Sequence, residues 1–266
     1  MKHISLYILI FCMFLVGGCG DKDIVTIKHG VSQYKNSTIE INKAINDVDI
    51  TIDSGKLKIY LWDKMEIKFV AKHTIRGSKT IEELEKQLDR YSIMSEKQGK
   101  VFLFKVDYKG KIIDPQDIYT DIELTIPRRI KKINISEQFG SLTVEDKFEG
   151  DIVAKLDSVN SEIKMLKGKL VYEGKSGNLR LNSGRLLNGS CVEINSGNIY
   201  IKTECQEKSK YLFQTETGNI ELNFPISSKV LLESFGTVQN NQFAGMEGNI
   251  EVKTSTNMGK ISVNGY

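Results

Sequence analysis

Asn178, Arg180, Asn198, Tyr200, Asn219 and Glu221 form three Asn-x-X phrases in the second half of the chain. In each, an amide is followed two residues on by a guanidinium, a phenol or a carboxylate. Arg offers a planar fork of donors, and Tyr pairs an apolar ring with a polar tip. If the phrases are brought side by side, they make a polar ledge suited to a sugar or a peptide. The same amides can instead hydrogen-bond to one another along a stack of strands. Glu221 is the only carboxylate in its column of the phrase, whereas glycoside hydrolysis uses two carboxyl groups about 5–9.5 Å apart. The ledge is therefore read as a non-catalytic binding surface, and a β-helix polysaccharide-active enzyme is disfavoured.

Other reactive side chains fall into weaker patterns. Asp47, Asp49 and Asp53 resemble the start of a calcium loop, but its sixth position is Ile52 rather than Gly and its twelfth is Lys58 rather than Glu, so the pattern fails. The histidines, His3, His29 and His73, are scattered, and no Cys-x-x-Cys pair occurs. No metal and no cofactor is expected. Cys191 and Cys205 form either one disulfide or two unpaired thiols, which spacing alone does not decide. Arg128, Arg129, Lys131 and Lys132 follow Pro127 as a basic run. This is a candidate contact for an anionic envelope polymer or lipid headgroups, or else a solvated turn.

The N-terminus carries a different chemistry. Lys2 precedes an apolar run from Ile4 to Val16 that is short for a spanning helix, which needs roughly 20 residues. The run ends Leu15-Val16-Gly17-Gly18-Cys19, which resembles a bacterial lipobox: an aliphatic residue, two small residues that fit a narrow peptidase cleft, and a cysteine whose thiol takes a diacylglycerol. Residues 1–18 are read as a lipoprotein signal peptide, Cys19 as the lipidation site and residues 19–23 as a tether. The expected location is extracytoplasmic, anchored to the cell membrane by lipid. About five extended residues reach at most ~18 Å, which keeps the body close to the membrane. The formal net charge of +3 falls by one when Lys2 is removed, too little to argue for nucleic acid.

The elements that must position the ledge show as internal repetition. Phe139-Gly-Ser-Leu-Thr-Val, Ser176-Gly-Asn-Leu-Arg-Leu, Ser196-Gly-Asn-Ile-Tyr-Ile, Thr217-Gly-Asn-Ile-Glu-Leu and Met258-Gly-Lys-Ile-Ser-Val share one pattern: a small turn residue, then alternating polar and apolar residues. The phrases recur about every 20 residues, in the range that marks repeat architectures. A second short strand lies between consecutive phrases. The expectation is an all-β chain whose residues 118–266 form a β-solenoid of stacked two-strand coils; a β-sandwich competes, and the near-identical Ser-Gly-Asn phrase favours the solenoid. Residues 24–117 read as a β-rich N-terminal region with one inserted helix over about 80–91. Thr80 and Glu83 make a capping box there, and Ile81, Leu84, Leu88 and Tyr91 follow at helical spacing. The final strand, Lys260-Ile-Ser-Val-Asn, shows no cap, and an exposed last strand there would be a partner interface.

Together Ser54-Gly-Lys-Leu-Lys-Ile, Ile122-Glu-Leu-Thr-Ile-Pro127 and the ladder of Ser/Thr-Gly-Asn-Leu/Ile phrases resemble the putative-adhesin family of β-strand-repeat surface proteins, also known as a domain of unknown function. The resemblance spans roughly residues 45 to 264. It implies a β-solenoid at the cell envelope and implies no catalytic residues. The resulting expectation is a membrane-anchored, non-catalytic binding or scaffold module that contacts envelope polymer or another envelope protein. A host-directed adhesin is the alternative.

Overall fold

The computed structural model describes residues 28–111 and 114–266. The first strands, β1 (His29–Glu40), β2 (Asp47–Trp62) and β3 (Glu66–Gly77), are followed by helix α1 (Ile81–Leu88), β4 (Tyr91–Gln98) and β5 (Val101–Tyr108). Three long strands come next: β6 (Ile118–Pro127), β7 (Lys132–Phe148) and β8 (Asp151–Gly168). Shorter ones follow: β9 (Leu170–Ser176), β10 (Leu179–Leu181), β11 (Gly184–Leu186), β12 (Cys191–Ser196), β13 (Ile199–Lys202) and β14 (Glu204–Cys205). The chain then runs through β15 (Lys210–Thr217), β16 (Ile220–Phe224), β17 (Val230–Asn241) and β18 (Ile250–Gly265). Cys19 and the signal peptide lie outside the described residues.

Strict alternation of apolar and polar residues puts every second side chain of these strands into the interior. The repeated phrase lines up in parallel register, Leu179 with Ile199, Ile199 with Ile220 and Ile220 with Ile261. The next inward row runs Val144, Ile163, Leu181, Ile201, Leu222 and Val263, each 0% exposed. At roughly 25 cal/mol per Å² of apolar surface removed from water, such rows are the main favourable term in folding.

The structure overturns the expected β-solenoid of two-strand coils. β8 pairs with β9 along its first half and with β10 along its second. β18 pairs in the same way with β15 and β16. The strands β9, β12 and β15 join one side, and β10, β13 and β16 join the other. These pairings close a ring of eight parallel strands, β8–β9–β12–β15–β18–β16–β13–β10, a barrel with further strands outside it. The physical reason lies in β8 and β18. Each is long enough to turn a corner and serve both ladders, so the ladders share their first and last members.

The first half of the chain continues this sheet. β2 pairs with β5 and β6 on one side and with β7 on the other. The pairs β1–β3, β3–β6 and β4–β5 are antiparallel, a connectivity that coils of one hand do not produce. The strand that ends the chain is not the sheet edge. β18 lies between the β15/β16 pair and β17, and among the described residues β17 pairs with β18 alone. The helix forms with the expected capping box, in which the Thr80 side chain accepts from the Glu83 amide. It stops at Leu88, and Tyr91 opens β4 instead of extending the apolar stripe, because its ring stacks on His73 at 4.2 Å. Leu84 and Leu88 pack into the core against β1 and β3.

The corner itself is made by glycine. Gly177, Gly197, Gly218 and Gly259 all have positive φ, from 108° to 159°. A Cβ on Gly177 would stand 2.2 Å from the Val159 carbonyl oxygen. On Gly197 it would stand 1.9 Å from the Gly177 oxygen, and on Gly218 2.0 Å from the Gly197 oxygen.

Two titratable side chains are buried in this core. Glu137 is 1% exposed, and neither carboxyl oxygen has a hydrogen-bond partner among the described residues. It stands in register with Ile52 and Leu156 on an inward row. Burial pushes its pKa up to about 8, with the Ser141 amide beside it acting the other way. His73 is 0% exposed; its Nδ1 pairs with the Thr120 hydroxyl at 2.8 Å, and burial lowers its pKa to about 3.

Two outcomes are expected. Gly177→Ala should lower unfolding free energy in urea by about 2–4 kcal/mol, because it combines backbone strain with a carbonyl clash. Gly99→Ala, at a turn with φ 60° and nothing within 4 Å of the added Cβ, should cost only about 1 kcal/mol. Equal costs would remove the close approach as the constraint. The second outcome concerns Glu137. Between its ordinary 4.5 and about 8 the unfolded chain releases this proton while the folded chain keeps it. Its contribution is therefore fully present at low pH and is lost as pH rises through that window, by at most about 1.4 kcal/mol per pH unit. The stability gain of Glu137→Gln over the parent should grow from pH 5 to pH 8; a constant gain would mean that the carboxyl is ionised throughout.

Candidate functional site

Just after the glycine corner, the asparagines form a ladder. Asn160 Oδ1 accepts from the Asn178 backbone N–H at 3.0 Å and from Asn178 Nδ2 at 3.2 Å. Asn178 Oδ1 accepts from the Asn198 N–H at 2.9 Å and from Asn198 Nδ2 at 3.0 Å. Asn198 Oδ1 accepts from the Asn219 N–H at 2.8 Å, and Asn219 Oδ1 accepts from the Lys260 N–H at 2.9 Å. At Asn178, Asn198 and Asn219 the glycine before the Asn turns the backbone, and each amide oxygen takes up the backbone N–H of the counterpart residue in the next strand. These side chains spend hydrogen bonds on the framework and tie successive strands together along the corner.

What they leave outward is a row in parallel register: Glu162, Arg180, Tyr200, Glu221 and Ser262. The Arg180 guanidinium lies over the Tyr200 ring, 3.8 Å from its centre. Glu162 sits on the other side of Arg180. Its Oε1 accepts from Asn182 Nδ2 at 2.7 Å and from Lys164 Nζ at 3.1 Å, and these two bonds hold the carboxyl below the usual range. Glu221 accepts from Asn223 Nδ2 at 3.2 Å. Cation, ring and carboxylates thus share one outward face. Alignment by phrase sets Asn160-Ser-Glu-Ile-Lys-Met, which lacks the glycine, with Lys164 beside Arg180; the fold shifts that register by two residues and places Glu162 there instead.

The basic run divides. Arg129 turns back on its own chain, donating to the carbonyl oxygens of Ile45 at 2.6 Å, Lys43 at 3.4 Å and Asn42 at 2.5 Å. It holds the loop between β1 and β2. Arg128 pairs with Asp63 at 3.5 Å. Lys131 is exposed and Lys132 half-buried at the start of β7. These two, with Arg128, keep cationic groups outside.

Cys191 and Cys205 are both free thiols, on β12 and β14. Burial pushes each thiol up to about 12, which leaves little thiolate to react at neutral pH. Asp47, Asp49 and Asp53 do not converge: Asp49 accepts from Asn134 Nδ2 and Asp53 from the Tyr108 N–H. Among the described residues no group of three or more His, Cys, Asp or Glu side chains is placed to hold a metal ion.

Residues 13–264 match the family model described as Toastrack DUF4097, and the chain belongs to that family. Among solved structures it is similar to a "putative cell adhesion protein" from Clostridium sporogenes, at 15% identity over 88% of this chain and 100% of the other, with a TM-score of 0.39. A "putative adhesin" from Bacteroides fragilis shows 11% identity over 87% and 97%, with a TM-score of 0.42. A "putative lipid binding protein" from Parabacteroides distasonis shows 14% identity over 88% and 96%, with a TM-score of 0.36. No curated protein matches.

Proposed function

We propose that this member of the Toastrack family is an extracytoplasmic module, anchored through Cys19, that binds envelope polymer or another envelope protein without catalysis. The observation that carries the reading is the outward row Glu162–Arg180–Tyr200–Glu221. A guanidinium stacked on a ring is preset in conformation, so less entropy is lost when it meets a ligand. The ring offers an apolar face, while the flanking carboxylates and amides offer acceptors and donors. A rigid parallel sheet behind the row keeps these groups at fixed spacing. The row holds no nucleophile paired with a base and no buried acid beside an open carboxylate, so its chemistry is that of recognition. The lipobox residues and the short stretch from Cys19 to the first described residues favour a position close to the membrane.

Two experiments test this. Arg180→Ala with Tyr200→Ala should weaken retention of purified envelope fragments by about tenfold or more while the unfolding midpoint stays within a few degrees; unchanged retention sinks the ledge. Separately, Cys19→Ser should move the protein from the membrane fraction to the soluble fraction of its host. Persistence in the membrane would remove the lipid anchor from the reading.

A further inference from the structure

Beside the first strands, a cavity of about 660 Å³ opens at the same corner that the asparagines occupy further along. Its lining includes Lys56, Arg76, Tyr119, Asp121, Ser141 and Ser158. We propose that this cavity is a binding site for an anionic sugar unit, one that carries a carboxylate or a phosphate together with free hydroxyls.

The argument starts from the column that follows the corner. In register it runs Lys56, Ser141 and Asn160, and then Asn178, Asn198 and Asn219. From Asn160 onward the side chains close on one another through their amides. Lys56 and Ser141 cannot extend that ladder, because neither carries the acceptor-plus-donor amide that it repeats. The corner that is sealed by hydrogen bonds in the later strands is therefore open here, and its polar groups face solvent space.

The charges select the ligand. Lys56 and Arg76 enter no ion pair among the described residues. Arg76 is steadied by the Tyr119 ring, its guanidinium 5.6 Å from the ring centre. Two cations against one carboxylate, Asp121, leave the cavity net positive, and a guanidinium fork matches a carboxylate or phosphate edge. Asp121 stands in register with both Lys56 and Lys72, yet its Oδ1 is buried without a hydrogen-bond partner among the described residues. A buried acceptor of this kind can take an O–H or N–H from a ligand. The Tyr119 ring supplies an apolar face for the C–H side of a sugar ring, and Ser141 and Ser158 supply hydroxyls. The volume falls in the range of small-molecule sites. Simple inorganic anions would leave Asp121 and the ring unused; neutral sugars would leave the cations unused.

Calorimetric titration of the full chain in detergent tests the proposal with three probes: N-acetylmuramic acid, N-acetylglucosamine 6-phosphate and neutral N-acetylglucosamine. At least one charged probe should bind about tenfold more tightly than the neutral sugar and weaken as salt rises. Lys56→Met with Arg76→Met should reduce that affinity about tenfold or more at an unchanged unfolding midpoint. Preference for the carboxylate probe would assign the site to acidic sugars, and preference for the phosphate probe to phosphate-bearing polymer; either supports the proposal. Equal binding of the neutral sugar, no binding of either anion up to about 10 mM, or full binding by the double variant would overturn it. The Arg180→Ala, Tyr200→Ala variant should bind the charged probe normally, so failure here and failure of the ledge are separate results.

Discussion

The close approach of backbone to backbone at the glycine corner is the constraint on which the rest of the structure depends. At Gly177, Gly197, Gly218 and Gly259 the preceding strand's carbonyl oxygen occupies the space that a Cβ would need. That approach lets strands turn from one side of the barrel to the other without losing parallel register. Register in turn keeps Leu179, Ile199, Ile220 and Ile261 in one inward row. The ladder has one exception: Val159 stands where the others have glycine, and buries its side chain completely.

The asparagines complete what the glycines begin. A turn with positive φ interrupts the ladder bonds of the sheet, and the Asn amide restores one by accepting the next N–H. The same residue type thus serves the framework wherever the phrase is intact. Specific chemistry appears where the phrase changes. It appears in the position two residues on, which varies from Glu to Arg to Tyr to Glu. It appears also in the first strands, where Lys56 and Ser141 replace the amide and the corner opens into a cavity. Repetition supplies a fixed spacing, and departures from it supply the varied side chains of the outward row and the opening at the first strands.

Inside, the core carries two groups that resist being charged. His73 stays neutral, pressed against Tyr91 and bonded to Thr120, and Glu137 keeps its proton because burial removes the water that would stabilise a carboxylate. Their pH effects run in opposite directions. The His73 contribution is present above 6.5 and is lost as pH falls toward about 3. The Glu137 contribution is lost as pH rises between 4.5 and about 8.

The sequence by itself determined the local and periodic features. Alternation specified the strands, the Ser-Gly-Asn phrases specified which strands lie side by side, and Thr80 with Glu83 specified the start of the helix. These are readable because they rest on neighbours a few residues apart or on one fixed repeat. The outward row was legible for the same reason, at Arg180, Tyr200 and Glu221. Tertiary structure alone decided how the ladders close. A repeat of about 20 residues is equally consistent with an open stack of coils and with a ring. The choice fell to β8 and β18, whose two halves each hold a different partner, and to β17, which joins after β18 and takes the edge. Tertiary structure also decided which polar residues are spent on the framework and which are left facing outward. Arg129 has the same type and setting as its basic neighbours but spends its guanidinium on three carbonyl oxygens. Lys56, Arg76 and Asp121 lie far apart in sequence and share no pattern, so only the folded chain brings them to one cavity.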